Sequence, residues 1–247
     1  MGRRNNIAVI ICAIVAFSLV FFIAIRLVEA DWTIEYLCDV LPENANPAWY
    51  LAEGDTGYRS TDGDILTLWT DDSQVAPEVQ YQLLDVVDRD QGVMVEVRMK
   101  IGYIGNDGPY ADTALGIYDS VEGFSLLFLE DRVFDQQNPS NYYLMNTKDS
   151  FHIYRIEYKN GEAKLYIDGG YRMQLTGFPY YVNRVLFGDQ RIQPQGMNGE
   201  SYWDYVKIET YSSLPSVPEF PAGLVFPVAF MPVIVYLLLR RKQRPVQ

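Results

Sequence analysis

The sequence is short of the residues on which many catalytic and metal sites rely. It has one histidine, His152, and two cysteines, Cys12 and Cys38, in 247 residues. A lone histidine excludes zinc centres built on several imidazoles and leaves nucleophile–histidine–acid catalysis a single base. Cys12 lies in an apolar run near the N-terminus, so the remainder holds one thiol and no internal disulfide. Cys38 reads as a small core residue. Neither a Gly-x-Ser-x-Gly turn nor a phosphate-cradling glycine loop is present. Residues 31–213 show no long helical period. Basic charge is scarce there as well: this segment holds 30 of the 32 acidic residues but 13 of the 20 basic ones. So acidic a surface repels phosphate backbones, which argues against nucleic acid as a partner. It suits solubility in a saline or crowded exterior, or binding of divalent cations.

Long apolar runs occur only at the two ends. The N-terminus starts with Arg3 and Arg4, continues through apolar Ile7 to Ile25, and reaches Val28-Glu29-Ala30. A basic start, an apolar stretch and small residues before Asp31 form a secretory signal with cleavage after Ala30. The run is also long enough to span a bilayer, so residues 1–30 read as a signal peptide or an N-terminal anchor. Either sends the following domain outward. At the other end, a Pro-rich linker (214–221) precedes an apolar segment (222–240) that closes on a basic tail (241–247). That order is a stop-transfer pattern for a transmembrane helix with its tail inside, kinked at Pro227 and Pro232.

Strand signals fill residues 31–213. Val93, Val95, Val97, Met99 and Ile101 alternate with Met94, Glu96, Arg98 and Lys100, the period of a strand with one buried face. A second alternating run, His152 to Lys159, meets Asn160-Gly161, a pair suited to a tight hairpin turn, and returns over Glu162–Asp168. Further strands are expected at Ile65–Trp69, Ala114–Tyr118, Ser125–Glu130, Tyr142–Asn146, Arg184–Phe187 and Tyr202–Glu209. The pattern predicts an all-β, antiparallel, two-sheet sandwich flanked by two transmembrane-type helices.

Two resemblances sharpen this. Pro218-Glu219-Phe220-Pro221, the apolar segment and the closing Arg-Arg-Lys resemble the PEF-CTERM sorting signal of archaeal surface proteins. The resemblance implies recognition of Pro218, Glu219, Phe220 and Pro221 by a membrane-embedded archaeosortase-type enzyme. The hairpin from Phe151 to Gly169, with Val185-Leu-Phe-Gly-Asp and Ser201-Tyr-Trp-Asp-Tyr-Val-Lys-Ile, is similar to concanavalin A-like and laminin-G-like jelly rolls. That group contains carbohydrate-binding modules, adhesion domains and glycoside hydrolases, so the likeness does not choose among them.

Retaining hydrolases of that fold carry a Glu-x-Asp-x-x-Glu spacing on one strand, which is absent here. Glu130 and Asp131 are adjacent and would face opposite ways. Glu96 and Glu157 stand beside Arg98 and Arg155 as solvated charges. His152 shares a strand face with Tyr154 and Ile156, which suits a core or cross-strand role. Asp204 shares an alternation with Val206 and Ile208 and is expected to point toward the core, where a carboxylate must be paired, hydrogen-bonded or metal-bound. In the sugar-binding members an acid near the start of this strand ligates structural calcium, which makes Asp204 the candidate ligand, with Asp189 a weaker one on a turn. The pairs Tyr142-Tyr143 and Tyr180-Tyr181 should each expose one ring.

The sequence alone therefore points to a membrane-anchored, extracellular, lectin-like domain, non-catalytic, binding glycans or cell-surface proteins. The alternatives are a divergent glycoside hydrolase or lyase acting on surface polysaccharide, and a purely structural envelope protein.

Overall fold

The computed structural model describes residues 33–51, 57–70, 78–104, 113–189 and 199–210. The chain divides into two units, Met1–Ser213 and Leu214–Gln247, and all described residues belong to the first. Both terminal segments, with Ala30 and the motif Pro218, Glu219, Phe220 and Pro221, lie outside the described residues. No helix among the described residues is long and apolar enough to cross a membrane.

The described chain is almost entirely strand. In order these are β1 (Ile34–Tyr36), β2 (Tyr50–Leu51), β3 (Tyr58–Asp62), β4 (Ile65–Thr70), β5 (Val79–Leu84), β6 (Val93–Ile104), β7 (Thr113–Asp119) and β8 (Glu122–Phe128). There follow β9 (Arg132–Asp135), β10 (Tyr142–Leu144), β11 (His152–Lys159), β12 (Glu162–Ile167), β13 (Gly170–Leu175), β14 (Phe178–Pro179), β15 (Asn183–Asp189) and β16 (Gly199–Thr210). Sheet A runs β13-β12-β11-β6-β16-β4-β3, with β1 also on β16. Sheet B runs β10-β9-β8-β7-β15-β5-β2, with β14 on β8. Every pairing is antiparallel. The expected all-β sandwich is therefore present.

The core lies between the sheets and follows from the period of two. Val93, Val95, Val97, Met99 and Ile101 of β6 are buried, whereas Glu96, Arg98 and Lys100 stand on the other side. Tyr154 of β11 meets Phe128 of β8 edge-on at 4.9 Å, and Trp203 of β16 meets Phe187 of β15 at 4.9 Å. These contacts fix which side of each strand faces inward. Aromatic pairs of this kind add about 0.5–1.5 kcal/mol beyond their burial. The β11–β12 hairpin turns on Asn160 and Gly161, whose φ values of 52° and 77° match the twist of the flanking strands. Cys38 is buried, which pushes its thiol pKa up to about 12.

One strand departs from its pattern. The β16–β6 register shifts between Trp203 and Tyr205, so Asp204 occupies a bulge. Trp203, Val206 and Ile208 point inward and are fully buried, while Tyr202 and Tyr205 are only partly buried. The uninterrupted alternation expected for Tyr202, Asp204, Val206 and Ile208 is corrected: the extra residue reverses the face on its N-terminal side.

Candidate functional site

Four strands of sheet A set one outward row. Tyr58 of β3 pairs with Trp69 of β4, Trp69 with Glu200 of β16, and Glu200 with Tyr103 of β6. The Tyr58 and Trp69 rings stack at 5.1 Å with an interplanar angle of 16°. Tyr58 and Tyr103 remain 42% and 43% exposed, so the aromatic surface faces solvent. A cleft of about 430 Å³ opens over this row, lined by Ser60, Thr67, Trp69, Thr70, Tyr103, Gly199 and Glu200.

The adjoining row is Ser60, Thr67, Tyr202 and Lys100. Tyr202 is hydrogen-bonded to Glu200, and burial together with the Glu200 charge raises its pKa, so the phenol stays protonated. The Lys100 ammonium lies 5.0 Å from the Tyr202 ring centroid and 5.2 Å from that of Phe151, within cation–π range. Gly102 makes the arrangement sterically feasible. A Cβ there would sit 2.7 Å from both Glu200 Oε2 and Tyr202 Cε2. Flat aromatic faces beside one carboxylate and one phenol suit a sugar ring: the faces take its apolar C–H side, and the polar groups take its hydroxyls or move a proton.

The residues singled out in the sequence are distributed differently. Asp204 is taken by Arg98 in a close ion pair, and its side chain is 21% exposed. Among the described residues no group of three potential ligands could hold a metal ion. Asp189 is not on a turn. It ends β15, fully buried between the sheets, and its Oδ1 accepts from Thr113 Oγ1 at 2.9 Å and Ser201 Oγ at 3.0 Å. Ser201 in turn accepts from Trp203 Nε1 at 2.9 Å. Glu157 pairs with Arg155 as expected, whereas Glu96, expected beside Arg98, accepts from Tyr205 and is half-buried. Glu130 pairs with Lys148 and accepts the Ile104 N–H.

His152 is neither a simple core residue nor isolated. Its Nδ1 lies 2.8 Å from Asp168 Oδ2, and its Nε2 lies 3.3 Å from Asp149 Oδ1 and 3.3 Å from Ser150 Oγ. Burial opposes the imidazolium, but the two carboxylates outweigh it and raise its pKa. The two carboxylates favour the imidazolium, the form that has no lone pair to take a proton from Ser150. Tyr142 and Tyr181 are exposed, the latter 86%, while Tyr143 and Tyr180 pack against the core.

Trp69 lay inside an expected strand, yet Tyr58, Tyr103 and Glu200 were not singled out. Their proximity depends on cross-strand register between distant segments, which single-strand patterns do not encode. The signal available was the outward position of Trp69 on its own strand, an unusual place for a tryptophan.

Among the described residues the alternation on the strands of sheet B turns no Asp or Glu outward, and Asp131 of the β8–β9 turn reaches the outward Arg132 at 3.5 Å. Of the sheet's strand carboxylates, Asp119, Asp135 and Asp189 are buried and turned inward, and Glu122 at the start of β8 is partly exposed and pairs with Arg89 at 3.0 Å. Asp119, for example, accepts from Tyr158 of sheet A and from Arg89 at 2.8 Å, which together with backbone donors outweighs burial and lowers its pKa.

No family model matches the chain, and no curated protein matches it. Solved structures do. A GlcNAcα1-4Gal-releasing endo-β-galactosidase from Clostridium perfringens is similar at 12% identity and a TM-score of 0.52, over 73% of this chain and 63% of that one. A β-1,3-1,4-glucanase (lichenase) from a mouse hindgut metagenome is similar at 15% identity and a TM-score of 0.49, over 72% of this chain and 98% of that one. The laminarinase catalytic domain of Thermotoga maritima gives 13% identity and 0.49, over 72% and 97%. The likeness to the endo-β-galactosidase agrees with a two-sheet jelly-roll sandwich fold. The non-catalytic, lectin-like reading is corrected: the neighbour with a TM-score above 0.5 is a glycan-releasing enzyme, and the hydrolase alternative passes to the proposal below. Sequence reasoning had set that alternative aside for want of one carboxylate spacing.

Proposed function

We propose that this protein cleaves glycan chains, with the cleft on sheet A as its site. The observation that carries the reading is the Glu200–Tyr202 pair set beside the stacked Tyr58 and Trp69 rings. In this reading Trp69 and Tyr58 form the floor for one sugar ring, and Glu200 is the proton-transfer group. Tyr202 supplies the hydroxyl that hydrogen-bonds Glu200. The β-sandwich hydrolases that resemble the chain support the substrate class through the fold they share with it. The proposal keeps the domain outside the cell membrane, with processing near Pro218–Pro221 by an archaeosortase-type enzyme and structural calcium at Asp204 as further proposals.

The test is release of reducing ends from a panel of polysaccharides by the full chain. Glu200→Gln should lower turnover by about 100-fold or more, the usual weight of a proton-transfer group. Trp69→Ala should instead raise KM about tenfold, equivalent to about 1.4 kcal/mol of lost ring contact. Turnover that survives Glu200→Gln undiminished, or silence on every polysaccharide, would reject the proposal.

A further inference from the structure

Arg184 of β15 stands on the outward face of sheet B, on the far side of the sandwich from the cleft. Among the described residues Arg59, Arg89, Arg98, Arg132 and Arg155 each pair with a carboxylate. Arg184, like Arg172, has no ion pair among the described residues, in a chain whose net charge is −12. It is partly buried, and a desolvated guanidinium without a counter-charge is unfavourable. Its Nη1 donates to Gln82 Oε1 at 2.7 Å and its Nη2 donates to the Tyr180 hydroxyl. Those two bonds use two of the five N–H donors of a guanidinium, and Nε is buried with no acceptor.

The surroundings hold this cation still and supply more donors. Its Cζ lies 5.0 Å from the Tyr118 ring centroid and 5.1 Å from that of Tyr180. The two rings are 4.3 Å apart. Tyr118 lies along its own sheet because Gly116 and Gly123 leave room for it. A Cβ at Gly123 would fall 2.4 Å from Tyr118 Cδ1, and one at Gly116 would fall 2.6 Å from Cε2. Because the Tyr180 oxygen accepts from Arg184, its own proton remains to be donated. Because Gln82 Oε1 also accepts from Arg184, its amide N–H groups point elsewhere. The free hydrogen-bonding groups of the cluster are thus donors, and the carboxylate reaching this face, Asp131, is paired with Arg132. Leu84, the cross-strand partner of Arg184, and the neighbouring Tyr181 are 39% and 86% exposed, which leaves an approach from solvent.

We infer that Arg184, Tyr180 and Gln82 form an oxyanion-receiving site, and that its ligand is the carboxylate of a uronic-acid sugar. The carboxylate takes the remaining Nη1 and Nη2 hydrogens and the Tyr180 proton, as charge-assisted bonds favour, while the exposed Tyr181 offers a ring face for the sugar. The site is independent of the sheet A cleft and of any cleavage there.

Calorimetric titration of the full chain with sodium glucuronate, at about 0.15 M salt, tests this. Saturable binding with a Kd on the order of 1 mM is expected for a ligand of this size. Glucose should not bind, acetate should bind at least tenfold more weakly, and Arg184→Gln should weaken glucuronate at least tenfold. Tyr180→Phe, which removes one donor and keeps the ring, should weaken it severalfold and covers the case in which Arg184→Gln fails to fold. Glucose or acetate binding as well as glucuronate would overturn the inference. So would an unchanged Kd in the folded Arg184→Gln chain or, if that chain does not fold, in Tyr180→Phe.

Discussion

Replacing Ser201 with alanine should destabilise the sandwich far more than the loss of one oxygen suggests. The Ser201 hydroxyl is fully buried and joins the two sheets: it accepts from Trp203 Nε1 on sheet A at 2.9 Å and donates to Asp189 Oδ1 on sheet B at 3.0 Å. Alanine leaves the indole N–H without an acceptor, at about 1–3 kcal/mol. It also removes one charge-assisted bond from a carboxylate held by Thr113 at 2.9 Å, worth about 1.5–3 kcal/mol. Since both losses share one atom they do not simply add, and about 3 kcal/mol is expected. For a domain of this size that corresponds to a fall in Tm of roughly 6–12 °C. Urea unfolding followed by far-UV circular dichroism measures it as a shift in midpoint at constant slope. Ser60→Ala, at an exposed serine on β3, is the control and should stay within about 0.5 kcal/mol. A Ser201→Ala loss below about 1 kcal/mol would refute the claim that this hydroxyl joins the sheets.

Two further outcomes are expected. Because Asp168 and Asp149 outweigh burial and raise the His152 pKa, its ion pairs stabilise the fold fully below the unfolded value of about 6.5 and are lost as pH rises through the raised value. Discounted for solvent screening, His152→Gln should cost about 0.5–1 kcal/mol at pH 5.5 and converge with wild type at pH 9; a Tm difference independent of pH would contradict this. Structural calcium at Asp204 would have to displace Arg98 from its carboxylate. It predicts a Tm that falls in chelator for wild type but not for Asp204→Ala, and a wild-type Tm indifferent to chelator leaves Asp204 to Arg98 alone.

Where side-chain period and turn chemistry agree, the fold was readable. The β11–β12 hairpin is a clean alternation around Asn160-Gly161, and its expected limits match the strands within a residue. Strand β5 was readable and passed over, since Val79, Tyr81 and Leu83 alternate with Gln80 and Gln82. Strand β3 was not: Tyr-Arg-Ser-Thr-Asp has no apolar face, because it is an edge strand whose side chains stay at least partly exposed. The faces of Tyr202 and Trp203 were misread because a bulge at Asp204 shifts the register without leaving a mark in composition. The cleft and the Arg184 cluster share one obstacle. Each gathers residues from strands far apart in sequence, and only the register between them brings Glu200 to Trp69 or Tyr180 to Gln82.

The last described strand is a middle one. β16 lies between β6 and β4 and also takes β1, so it joins the β3–β4 ribbon to the rest of sheet A. A chain emerging N-terminus first holds two unjoined parts of that sheet, each with an open edge, until Gly199–Thr210 arrives. Closure of the sandwich is thus a late event, reached when nearly all of the domain has been delivered. Stopping short of Gly199 leaves bare strand edges at β4 and β6, a template for association with other chains instead of a smaller working domain.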